Sequence, residues 1–312
     1  MDNLKTVLTF ITPNDSNVID FSKKRFDRFI FSMGSGGCIG IGNQMFRIAS
    51  LYGIGLFPNV NRTPGLNGGC IKGYFKEFSE TFPNVVKLVE FDDLRNKSVA
   101  RTSFGKRMYE NPEVIHDAKE KYLIINHGYL QAVRYFTYVM DEIRQLFDFH
   151  PKVKAQVEEY GNKLFISDNS SHKMCVHIRR GDFLRHRLLE TEKEFLVPAM
   201  ATKDDYFNIY RPKLRSRAEV MYFGVRYCDS LLKSASGSTF STWIGLLMPE
   251  GKDIFYNRRM FKNRNEDIGK EYIDYERFPK HWNILELNAS NKTVVIDNRW
   301  NFERYRKPNN RK

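Results

Sequence analysis

Val176-His177-Ile178-Arg179-Arg180-Gly181-Asp182 is an apolar run that ends in a burst of charge and a glycine. Met174 to Ile178 reads as a buried β-strand. Open α/β sheets bind ligands beyond the carboxyl ends of their strands, so the segment predicts both a sheet and a site. Two adjacent arginines there are costly to bury unless an anion meets them. The planar fork of arginine suits phosphate oxygens. If the strand continues, Arg179 and Arg180 point to opposite faces. One can then hold a phosphate while the other braces Asp182. The competing reading is a plain Arg–Asp pair closing a strand.

Outward from this segment, short apolar runs alternate with stretches of helical spacing, the pattern of α/β layers. Phe29 to Met33, Val85 to Phe91, Tyr122 to His127, Glu219 to Phe223, Asp253 to Tyr256 and Thr293 to Ile296 read as strands. Helices are expected at Asn43 to Ile54, Val133 to Phe147, Val153 to Leu164, Asp204 to Arg215 and Ser238 to Leu247. The polar, turn-rich run Ser167 to Lys173 suggests a boundary. The resulting organisation is an N-terminal tail (1–27), an α/β lobe on the acceptor side (28–168) and a second α/β lobe (169–312), with a cleft between the lobes.

Three further segments carry candidate chemistry. Gly34 to Gln44, Gly-Ser-Gly-Gly-Cys-Ile-Gly-Ile-Gly-Asn-Gln, is a glycine turn between strand and helix that can cradle an anion or sugar hydroxyls. It lacks the Gly-Lys-Ser/Thr of a nucleotide-triphosphate loop, and Met45 stands where the dinucleotide fingerprint needs glycine or alanine. Ser236 to Trp243, Ser-Gly-Ser-Thr-Phe-Ser-Thr-Trp, sets hydroxyls and backbone amides at a helix start, a phosphate-sized nest or an ordinary capped helix with Trp243 in the core. Gly128 to Phe136 is, by physics alone, a loop entering a helix.

The bulk numbers narrow the class. The 312 residues are 41% apolar and 28% charged, with a net charge of +13, a globular composition whose surface attracts anions. The basic residues are dispersed, and no nucleic-acid module or interleaved Arg/aromatic platform is present, so no nucleic-acid partner is expected. Cys38, Cys70, Cys175 and Cys228 have no metal or redox spacing, and buried thiols or any of three disulfide pairings remain open. Sequons at Asn14, Asn61, Asn96, Asn169, Asn288 and Asn291 suggest a secretory-lumen history. No signal or membrane span is legible; the longest early apolar run, Thr6 to Thr12, is too short.

In this order, Gly-Asn-Gln (42–44), Gly-Tyr-x-Gln-x-x-x-Tyr-Phe (128–136), His-Ile-Arg-Arg-Gly-Asp (177–182) and Ser-Thr-Phe-Ser-x-Trp (238–243) resemble the α-1,2-fucosyltransferase family. The likeness runs from about Phe29 to Leu247. It implies two Rossmann-like lobes of GT-B type, GDP-L-fucose as donor, a galactose-like hydroxyl of a glycan as acceptor and inversion at the transferred sugar. It further implies a Golgi setting behind a membrane anchor not visible in this chain, and no cofactor or metal. No Asp-x-Asp occurs in the sequence. Carried over, Arg180 (or Arg179) meets the β-phosphate, His177 lies by the nucleotide, Asp182 fixes the arginine, and Ser238, Thr239 and Ser241 contact the phosphates. Asn43 faces the sugar or the acceptor hydroxyl. Asp182, Glu190 and Glu192 are the candidate bases.

One departure stands out. Val220 to Gly224 resembles the strand that opens a long stretch in this family, and Tyr227 to Leu232 resembles its close, so ~30 residues, about one βα unit, are expected to be missing between them. The C-terminal lobe is then incomplete, the chain a shortened or divergent member, and a non-catalytic nucleotide- or glycan-binding remnant is the alternative function.

Overall fold

The alternation of strand and helix builds two five-stranded sheets, ordered β3-β2-β1-β5-β4 and β10-β9-β8-β7-β6. The computed structural model describes residues 18–23, 26–32, 40–105, 109–115, 118–126, 130–168, 170–200, 208–263, 274–288, 290, 292–301 and 303. In the first sheet β1 (Phe29–Ser32), β2 (Thr63–Leu66), β3 (Glu90–Phe91), β4 (Val99–Ser103) and β5 (Tyr122–Asn126) are all parallel. Its order reverses between β1 and β5, which opens a crevice at their carboxyl ends. In the second sheet β6 (Met174–His177), β7 (Ser230–Lys233), β8 (Asp253–Asn257) and β9 (Asn283–Asn288) are parallel, and β10 (Thr293–Ile296) is antiparallel.

The second sheet runs in one direction from β6, so β6 is an edge strand. All four of its residues are half-buried, whereas all four of β7 are buried. A disulfide from Cys175 in β6 to Cys228, just before β7, reinforces the single ladder that holds this edge. Cys70 is also disulfide-bonded, so the free-thiol reading is set aside for Cys70, Cys175 and Cys228.

Helices α1 (Ile41–Leu56), α2 (Ile71–Thr81), α3 (Pro83–Leu88), α4 (Met140–Leu146) and α5 (Pro151–Leu164) follow in the first half, and α6 (Lys193–Met200), α7 (Arg217–Tyr227) and α8 (Thr239–Leu247) in the second. One continuous apolar core fills the space between the sheets, from Ile30 and Met45 to Trp243 and Ile284. Smaller clusters back the outer faces, around Phe31 and Ile124 on one side and Phe195 and Leu232 on the other.

Four expectations are corrected. Glu219 to Phe223 is not a strand but part of α7, which runs without a break to Tyr227. The Ser216 hydroxyl accepts from the Glu219 amide at 3.2 Å and the Glu219 carboxylate accepts from the Arg215 amide at 2.7 Å. This is a variant of the Ser-x-x-Glu capping box, which starts a helix whatever the β propensity of Val220, Tyr222 and Phe223. Gly224 to Tyr227 therefore completes α7 rather than joining a strand to the segment that follows it. Val85 to Phe91 divides into α3, started by Pro83, and the two-residue β3. Residues 208–215 are not helical, and 204–207 lie outside the described residues. Val133 to Phe147 holds two single 3-10 turns before α4. Four strands went unread: β2, disguised by Pro64 and Gly65, β4, β7 and β9.

The disulfide makes β6 sensitive to its loss. Replacing Cys175 and Cys228 together by Ala should cost about 2–4 kcal/mol, the usual worth of a cross-link closing a loop of this order. Denaturant unfolding of the double variant measures it, and an unchanged midpoint would show that the β7 ladder alone holds the edge.

Candidate active site

Two helix starts meet at one cleft. α1 begins at Gly40 and α8 at Ser238, neither start has a side-chain cap, and neither first turn holds an acid. Uncapped first-turn amides and the helix dipole leave both ends electropositive. The ends touch: a Cβ on Gly42 would lie 2.8 Å from the backbone of Thr239 and Phe240, so only glycine allows this approach. Trp243 donates from Nε1 to the Gly42 carbonyl at 3.0 Å. Its ring is fully buried, 4.9 Å from Phe147, 5.2 Å from Phe46 and 5.6 Å from Phe136, centroid to centroid.

This junction unites segments that the sequence could only order. Asn43 is, with Leu56, one of two α1 residues that are not buried. It lines the cleft, and its Oδ1 accepts from Gln131 Nε2 at 3.0 Å. Asn43 follows β1 and Gln131 follows β5, so the pair sits at the crevice where the strand order reverses. Residues 34–39 of the glycine turn, and 127–129, lie outside the described residues.

The strand end of β6 forms the opposing wall of a cleft of about 3390 Å³, which Asn43, His177, Arg179, Arg180, Asp182, Ser238 and Thr239 all line. Arg179 is committed: its Nη2 bonds both carboxylate oxygens of Asp182 at 2.7 Å, and its guanidinium lies 5.0 Å from the Phe183 ring centre. Arg180 is exposed and makes no hydrogen bond or ion pair with a described residue. Gly181 between them has φ of +88°, a turn that glycine makes without strain.

The backbone beneath is locked by hydroxyls. The Arg179 amide donates to Thr191 Oγ1 at 2.9 Å, Thr191 bonds Ser234 Oγ at 2.7 Å, and Ser234 donates to the His177 carbonyl at 2.6 Å. Neither Thr191 nor Ser234 was singled out from sequence, because a hydroxyl between Glu190 and Glu192, or between Lys233 and Ser236, carries no signal of its own. Lys233, the last residue of β7, was missed too. It is 0% exposed, and its Nζ donates to Thr242 Oγ1 at 2.7 Å. A lysine ending the apolar run Ser230-Leu231-Leu232 was the available clue.

Not every predicted residue reaches the cleft. Ser238 and Thr239 line it, but Ser241 is fully buried, its hydroxyl donating to the Ser238 carbonyl at 3.1 Å. Of the candidate bases only Asp182 lines the cleft; Glu192 instead pairs with Arg259 at 3.5 Å. Among the described residues no three His, Cys, Asp or Glu side chains gather as metal ligands.

Burial, with the positive charges of Lys233 and Arg179, pushes the His177 imidazole down to about 4 from its ordinary 6.5. His177 is then neutral at physiological pH. Its Nδ1 is buried and has no hydrogen-bond partner among the described residues. Because the folded value lies below the unfolded one, the unfolded chain takes up the proton first as pH falls. The stability His177 contributes is complete above pH 6.5 and is lost on descent to about 4. Thermal midpoints of wild type should therefore fall across that window more steeply than those of His177→Gln, and parallel profiles would exclude the imidazole as the cause.

Residues 94–195 match the family model for glycosyl transferase family 11. A putative galactoside 2-α-L-fucosyltransferase of Caenorhabditis elegans is 24% identical over 298 residues, covering 82% of this chain and 79% of that protein. A galactoside 2-α-L-fucosyltransferase of the same organism is 22% identical over 291 residues, with the same shares covered. Among solved structures, fucosyltransferase NodZ from Bradyrhizobium aligns with 88% of this chain and 99% of its own at 14% identity and a TM-score of 0.45. These matches agree with the order of the four motifs: the chain is similar to galactoside 2-α-L-fucosyltransferases over most of its length, and residues 94–195 match glycosyl transferase family 11.

Proposed function

We propose that this protein is a fucosyltransferase that moves L-fucose from GDP-fucose to a hydroxyl of a galactose-containing glycan, forming an α-1,2 linkage with inversion. The observation that carries the reading is the convergence of two uncapped helix starts and the unpaired Arg180 on one cleft. A diphosphate is the ligand such an arrangement recognises.

As the bond between fucose C1 and the β-phosphate oxygen stretches, the sugar ring gains positive character and negative charge gathers on the departing phosphate. Fixed positive groups stabilise that charge most when they are already in place. Arg180, the α8 amides and the uncapped Ser238 hydroxyl fill this role without a metal ion. Arg179 does not compete, since Asp182 holds it. The neutral His177, in the same cleft and 6.0 Å from the Phe240 ring, is a hydrogen-bonding group for the nucleotide. Asn43, oriented by Gln131, faces the acceptor side, where the attacking hydroxyl approaches opposite to GDP. The two sheets, joined along α1 and α8, form the two Rossmann-like lobes of a GT-B arrangement. The Cys175–Cys228 disulfide and the exposed sequon residues Asn61, Asn96 and Asn288 fit an oxidising secretory compartment such as the Golgi lumen.

The open edge of β6 favours one other reading, a protein that binds nucleotide without turning it over. Turnover of GDP-fucose with a panel of galactosides separates the two. Under the proposal fucose is transferred, and Arg180→Ala lowers kcat about 10²–10³-fold, the usual loss of one transition-state donor. GDP binding without transfer supports the binding-only reading, and wild-type turnover by Arg180→Ala removes this arginine from the mechanism.

A further inference from the structure

Lys233 carries a buried amine that the proposed chemistry leaves unused. It ends β7, in register with His177 of β6 and Tyr256 of β8, at the carboxyl edge that faces the cleft. Its side chain does not line the cleft but lies behind the wall, over the rings of Phe278 at 4.2 Å and Trp282 at 5.3 Å. Its hydrogen-bonded oxygen partner is Thr242 Oγ1, at 2.7 Å. Thr242 passes the link on, donating to the Ser238 carbonyl at 3.0 Å. Ser238 is the residue at which α8 begins.

We propose that Lys233 is a positioning residue for the diphosphate: through Thr242 it holds the Ser238 carbonyl and so aims the first turn of α8, and its amine gains positive charge behind that turn as the diphosphate binds. The inference rests on the diphosphate reading of the cleft.

Geometry shows why the lysine matters. Ser241 and Thr242 turn their hydroxyls inward, both donating to the Ser238 carbonyl. The α8 start thus has no cap toward the cleft, and what fixes it comes from behind. An apolar residue at 233 would keep the packing against Phe278 and Trp282 but leave Thr242 without a donor.

The charge makes the role measurable. Burial, and then the nearby Arg277, push the Lys233 ammonium well below its ordinary 10.5. The ionisable groups around it are His177 from β6, Tyr256 from β8 and Arg277, and α8 contributes Thr242. None is an acid. A diphosphate arriving at the helix start brings the missing negative charge, which favours the ammonium and draws a proton from solvent onto Nζ. His177 reports separately, because its ordinary value is 6.5 and its folded value about 4, so its uptake belongs to acidic pH.

The test is calorimetric titration of the full chain with GDP at pH 8, in two buffers of different ionisation enthalpy. Wild type should show a heat that depends on the buffer, the mark of proton uptake. Lys233→Met should bind about tenfold more weakly, the order of one hydrogen bond lost from the chain that aims the helix start, and lose the buffer dependence. Thr242→Val should bind more weakly yet keep the uptake, and Thr242→Ser should restore binding. Wild-type affinity with unchanged buffer dependence in Lys233→Met overturns the inference while leaving the donor reading intact. If Lys233→Met does not fold, the Thr242 pair decides, and wild-type binding by Thr242→Val overturns it. A wild-type chain that binds no GDP overturns the donor reading and this inference with it.

Discussion

The structure depends on the contact between the starts of α1 and α8. The Gly42 carbonyl accepts from the Trp243 indole, and the absent Gly42 side chain lets the backbone of Thr239 and Phe240 close in. A larger residue at 42 would wedge two helices that the whole inter-sheet core is built around. The contact is also chemical. It sets two electropositive backbone ends side by side, facing the same space as Arg180. A hydrogen bond to a buried carbonyl is worth about 1 kcal/mol net, whereas burying Trp243 is worth several. Aromatic packing by Phe46, Phe136 and Phe147 therefore supplies most of the stability, and the indole N–H supplies the registration.

Charge placement around the end of β6 follows a second rule: the basic groups there differ in what holds them. Asp182 holds Arg179 in two bonds, Thr242 and the rings of Phe278 and Trp282 hold Lys233, and Arg180 is left to the cleft. Part of the chain's positive excess is structural in the same sense. Arg62 is fully buried and donates to the carbonyls of Phe29, Ala118 and Glu120. A high net charge thus says less about partners than the few cations that face open space.

The sequence made the sheet ends legible and the connections between them less so. β1, β5, β6 and β8 were readable because each is a short apolar run bounded by polar residues. β2 was hidden, since Thr63-Pro64-Gly65-Leu66 has the residues of a turn and becomes a strand only through its neighbours β1 and β3. α7 was misread because consecutive buried residues imitate a strand, although Ser216 and Glu219 announced a helix start. At the site, the arginine pair and the Ser-Thr nest stood out by chemistry. Lys233, Thr191 and Gln131 did not, because their roles exist only after distant segments meet.

Under the proposed function a nucleoside diphosphate binds where the α8 start, the β6 end and the α1 start converge. Hydrogen–deuterium exchange with and without GDP tests it most directly. The prediction is slower exchange at backbone amides within 177–182 and 239–242, with a smaller effect at 41–44. Unchanged exchange at all three segments under saturating GDP, or protection confined to other parts of the chain, would contradict it.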